Sequence, residues 1–68
     1  MANINKFLDK SFETMELAQL VDAPVGALAG LSEGDAEALS KALHIKTIGD
    51  LATNKYVLWA QAIHNLSN

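Results

Sequence analysis

The chain has 68 residues, enough for one small domain and too few for a separate catalytic or regulatory unit. Eight carboxylates stand against five lysines and no arginine, for a net charge of −3, so the side chain that grips phosphates bidentately is missing. There is no cysteine either, which excludes disulfides, thiolate nucleophiles and the usual structural zinc sites.

Size alone makes the domain marginal. Scaling relations give about 10,600 Å² of surface for the unfolded chain and about 4,200 Å² for a compact fold of this mass. If about 60% of the difference is apolar, burying it contributes on the order of 95 kcal/mol at about 25 cal/mol per Å², and ordering the chain costs roughly 100 kcal/mol, so the sum lies near zero. Self-association or docking on a partner is a natural source of further burial. The N-terminal MANINKFLDK is charged where a leader peptide would be apolar, and no run approaches the ~20 apolar residues of a membrane span. The expectation is a soluble, cytoplasmic protein with no membrane partner.

Ile4, Phe7, Leu8, Phe12 and Met15 recur at spacings of three and four, which predicts an amphipathic helix from about Asn5 to Gln19. A phase shift at Leu17 to Val21 allows a break, with Ser11 or Thr14 capping a fresh start. Asp22-Ala23-Pro24 ends this segment and opens a short helix, which Gly30 closes in the left-handed conformation. Gly26 inside it suggests close approach of another helix.

Ser32 and Asp35 form a capping-box signature for a helix from Glu33 to Leu43, with Ala36, Leu39, Ala42 and Leu43 as its buried stripe. Glu37 and Lys41 have the favourable i,i+4 order. His44 ends this helix and Ile45 plugs the core. Thr47 and Asp50 repeat the cap signature for a helix through Ile48, Leu51 and Ala52, and Asn54 caps a last helix from Lys55 to Leu66. Trp59, Ala62, Ile63 and Leu66 make a stripe on it. With no strand alternation, the expected fold is all-α, a compact bundle of four to five short helices. It divides into an N-terminal helical segment (1–21), a central core (22–52) and a C-terminal helix (53–68).

Leu28, Gly30, Leu31, Ala36 and Leu39, followed by Ile45, Thr47, Ile48, Asp50, Leu51 and Ala52 in the phrase IKTIGDLA, resemble the helix-hairpin-helix family. They are similar to the form found in the C-terminal domain of bacterial RNA polymerase alpha subunits. The resemblance spans about residues 28–52. It implies a helix-hairpin-helix-like core and, in its phosphate-binding members, a hairpin whose backbone amides grip a nucleic-acid backbone. Carried over, Gly30 holds the turn. Ser32 replaces the second glycine of the usual pattern, and His44 replaces a glycine that commonly precedes the position of Ile45.

For weak nucleic-acid binding the candidates are Gly30, Ser32, Lys41 and Lys46, opposed by Glu33, Asp35 and Glu37 at the helix start. This reading is disfavoured. His44 and His64 lack any metal-ligand spacing, and Ser32 has no local base, so no enzyme activity, metal, cofactor or small-molecule substrate is expected. The favoured function is protein–protein interaction or self-assembly. Its partner-binding candidates are Phe7, Leu8, Phe12 and Met15 on the N-terminal helix and Tyr56 and Trp59 on the last one. The plain alternative is that Phe7, Phe12 and Trp59 meet in one core. The hairpin residues Gly30, Leu31, Ser32, Glu33 and Asp35 form an acidic knob suited to a basic partner.

Overall fold

Side-chain caps set three of the helix starts. Ser32 and Asp35 exchange reciprocal bonds: the Ser32 N–H donates to Asp35 Oδ2 (3.0 Å) and the Asp35 N–H to Ser32 Oγ (3.1 Å). Thr47 and Asp50 do the same, and Asn54 Oδ1 accepts from the N–H groups of Tyr56 and Val57. Each cap satisfies amides that would otherwise lack an intrahelical acceptor. In the computed structural model, which describes residues 4–67, these caps open helices α2 (Glu33–Leu43), α3 (Ile48–Thr53) and α4 (Lys55–Leu66). Before them lie α1 (Leu17–Val21) and three 3-10 turns, Asn5–Phe7, Lys10–Phe12 and Val25–Ala27. The described residues are all-α.

The amphipathic helix expected from Asn5 to Gln19 does not form. Leu8 and Asp9 are extended, at ψ 149° and 150°, and divide the segment into two 3-10 turns. The cause is a competing set of backbone bonds. The Asp9 N–H donates to the Ala27 carbonyl (2.8 Å) and the Ala29 N–H to the Phe7 carbonyl (2.7 Å), pairing Leu8 with Leu28. Groups that would have closed helical turns are committed to a distant strand-like contact instead. Neither Ser11 nor Thr14 starts the next helix. Extended Glu16 does, and its N–H donates to Gln19 Oε1 (3.1 Å).

A second such pairing holds the other side of the central loop. The Val25 N–H donates to the Lys46 carbonyl (2.9 Å) and the Ile48 N–H to the Ala23 carbonyl (3.0 Å), around Pro24 and Thr47. Between the two pairings the chain buries alternate residues, Ala23, Val25 and Ala27, which join Leu8, Leu20 and Ile45 as the core. The short helix expected after Pro24 is therefore a single 3-10 turn. Gly30 closes the loop with φ 95°, a conformation that only glycine adopts without strain. A Cβ on Gly26 would sit 3.8 Å from the Ala36 Cβ, an ordinary contact, so α2 approaches this glycine without requiring it.

The stripe expected to be buried on α2 is only half covered. Ala36 and Leu39 are half-buried, whereas Ala42 and Leu43 are exposed. The helix touches the 3-10 turn Val25–Ala27, with Ala36 nearest Gly26, and its residues from Lys41 to Leu43 are exposed. At its end His44 takes the left-handed conformation (φ 58°, ψ 30°), which turns the chain so that Ile45 points inward, 1% exposed. No residue of α2, α3 or α4 is fully buried.

Candidate interaction surfaces

An apolar recess of about 250 Å³ opens where the first 3-10 turn meets α1, lined by Phe7, Leu8, Leu17, Leu20, Val21 and Ile48 among others. Phe7, Leu17 and Val21 form its exposed rim, and Lys6 Nζ lies 5.3 Å from the centre of the Phe7 ring. Leu8 is placed in the core rather than on a contact face, because its backbone pairing with Leu28 draws it under the loop. Phe12 and Met15 are half-buried and stand outside the recess. The four N-terminal candidates thus do not share one helical face. Leu17 and Val21, which complete the rim, were not among them, although their i,i+4 spacing marks one side of α1.

The last helix carries the second surface. Tyr56 and Trp59 meet edge to face, their ring centres 5.5 Å apart and their planes at 87°. Lys55 Nζ stands 5.1 Å and 5.8 Å from the two ring centres, within cation–π range. Trp59 is 58% exposed, so it does not join a core with Phe7 and Phe12. Exposure rises further along the same stripe, to 70% at Ile63 and 85% at Leu66. Val57 and the cap Asn54 are half-buried, while every residue from 58 to 67 is exposed. The helix is seated by its first turn and projects beyond it.

After the turn at Gly30, the start of α2 is capped by its own side chains. The Ser32 backbone N–H, and then its hydroxyl, hold the Asp35 carboxyl below its ordinary value of 3.8. Asp50 is lowered in the same way, first by the Lys46 N–H and then by that of Thr47. Glu33 is exposed beside Asp35, and Leu31 is half-buried beneath them. Lys41 is paired with Glu37 at 2.8 Å. The backbone amides of Ser32 and of Lys46 therefore already donate to the chain's own carboxylates, Asp35 and Asp50.

These caps make stability sensitive to acid. Both groups have depressed folded-state pKa values, so their contribution is complete above the ordinary carboxylate range and is lost as pH falls through it and below. Thermal midpoints measured from pH 7 down to about pH 2.5 should drop across that range. The Asp35→Asn/Asp50→Asn double variant should start lower and show a shallower drop. An unchanged slope in the double variant would refute the assignment.

No group of three or more potential metal ligands occurs among the described residues, and none of their helices is long and apolar enough to cross a membrane. No protein-family model, curated protein or solved structure matches this chain.

Proposed function

We propose that the chain is a small, non-catalytic protein-association module whose contacts are made by apolar side chains displayed around a helix-hairpin-helix-like core. The observation that carries this reading is the exposure of Phe7, Leu17, Val21, Trp59, Ile63 and Leu66 on a domain of this size. The chain exposes 5278 Å², about 1,100 Å² more than the roughly 4,200 Å² of a compact monomer of equal mass. Large apolar side chains exposed in such number are usually covered by another molecule.

The alternative, weak binding to a nucleic-acid backbone, has less support. Its anion would have to displace Asp35 from the Ser32 amide, where the carboxylate already accepts a bond at 3.0 Å. Lys41 is engaged by Glu37, and no arginine is present to compensate.

Association is tested by sedimentation of the chain from about 1 µM to about 500 µM, combined with oxidative footprinting of Phe7, Tyr56 and Trp59. The expected result is a mass that rises with concentration while at least one of these surfaces loses reactivity. A 7.3 kDa particle with unchanged reactivity across the range would overturn the reading.

A further inference from the structure

We infer that the occupant of the exposed α4 face is α4 of a second copy, paired antiparallel about a two-fold axis at the level of Gln61. The inference rests on the association reading and adds the surface, the partner and the geometry. Tyr56, Trp59, Ile63 and Leu66 follow the 3-4-3 spacing of a coiled-coil seam. On a helix of 100° per residue these exposed positions share an arc of about 80°, centred about 140° from Val57, the half-buried residue of α4. The seam therefore points away from the domain that carries it.

Area argues for a partner of the same size. At ~150–250 Å² for each large side chain, the exposed fractions of the four seam residues amount to on the order of 500 Å² per copy. Two such faces approach the ~1,200 Å² total at which specific interfaces begin, and the flanking Leu58 adds to it. A helix of twelve residues with most of its length unsupported is marginal in water, so pairing also supplies its missing packing. Pairing α4 with itself is isologous and closes at two copies, whereas seating α4 in the Phe7 recess joins two different surfaces and closes only as a reciprocal exchange or a ring.

Orientation follows from size and charge. Antiparallel pairing sets Trp59 against the second copy's Ile63 and Tyr56 against its Leu66, each layer joining a large ring to a smaller aliphatic group. Parallel pairing would stack Trp59 on Trp59 and bring the two Lys55 ammonium groups together. The antiparallel arrangement separates them by about the length of the helix, roughly 18 Å, well beyond the screening length at physiological salt.

The test uses the full chain. Sedimentation should give twice the 7.3 kDa chain mass, and Ile63→Asp should raise the dissociation constant about 30-fold or more. Phe7→Asp, on the other surface, should leave the dimer intact. Because Ile63 is exposed in the single chain, its substitution should leave the far-UV spectrum of the remaining domain in place; Leu66→Lys provides an independent seam variant. The chain has no cysteine, so introduced thiols report orientation directly. Mixed Tyr56→Cys and Leu66→Cys chains should oxidise chiefly to the unlike disulfide. A predominance of the Tyr56→Cys like pair would overturn the antiparallel geometry. If the dimer survives Ile63→Asp and Leu66→Lys but dissociates with Phe7→Asp, the α4 pairing is wrong and association stands. A single-chain mass at every concentration removes both.

Discussion

Ile45→Ala should leave the chain largely unfolded at 25 °C. The side chain is one of the two largest that are completely enclosed, and it sits directly after the left-handed turn at His44. Truncating a buried isoleucine removes its transfer free energy and leaves a cavity, together about 2–5 kcal/mol. Domains this small rarely hold more than about 3–5 kcal/mol in total. The loss falls where it cannot be shared, because Ile45 joins α2 to the central loop: its N–H donates to the Leu39 carbonyl, and Lys46 beside it accepts from Val25. Urea titration followed by circular dichroism checks this. Ile45→Val should cost only about 1 kcal/mol and stay folded. A full-length native baseline for Ile45→Ala would show that the core lies elsewhere.

The second large effect is expected at Gly49, in the first turn of α3. A Cβ there would lie 2.8 Å from Val21 Cγ1 and 3.0 Å from the Val21 carbonyl oxygen. The first contact could be relieved by the Val21 side chain, though a β-branched residue has few rotamers to choose from. The second is with backbone at the end of α1 and cannot be relieved without moving that helix. Alanine would otherwise gain about 1 kcal/mol over glycine inside a helix, and overpacking costs about 1–3 kcal/mol. With one of the two contacts to unyielding backbone the cost falls in the upper part of that range, about 2–3 kcal/mol, so Gly49→Ala should destabilise by about 1–2 kcal/mol. Gly26→Ala, which meets only Ala36 at an ordinary distance, should change stability by less than about 0.5 kcal/mol. Equal effects at the two glycines would refute the close approach of α1 and α3.

Both effects bear on what the amino-acid order could and could not reveal. Helices α2 and α4 were legible to their end residues because their signals are local: Ser32 with Asp35, and Asn54 ahead of Lys55. The inward turn to Ile45 was legible for the same reason. The N-terminal segment was not. Its apolar spacing of three and four suits successive 3-10 turns as well as an α-helix, and the choice was made by carbonyl and amide partners about twenty residues away, at Ala27 and Ala29. Gly49 likewise carries no local sign of its role, since the atoms it must clear belong to α1. On α4 the apolar stripe was visible, but periodicity does not say whether a stripe faces its own domain or another molecule. Only the fold, which seats α4 by its first turn, leaves Trp59, Ile63 and Leu66 looking outward. The recess rim shows the same limit. Phe7 was legible as a contact candidate, but its neighbours Leu17 and Val21 join it only through the fold.

The interior of this protein is furnished by Leu8, Leu20, Ala23, Val25, Ala27 and Ile45, and only Leu20 among them belongs to an α-helix. Sequence drift along α2 and α4 therefore meets little resistance from the fold itself. Substitutions on the exposed faces of those two rods should cost little stability, while changes in the knot of loop between Leu20 and Leu28 should cost much.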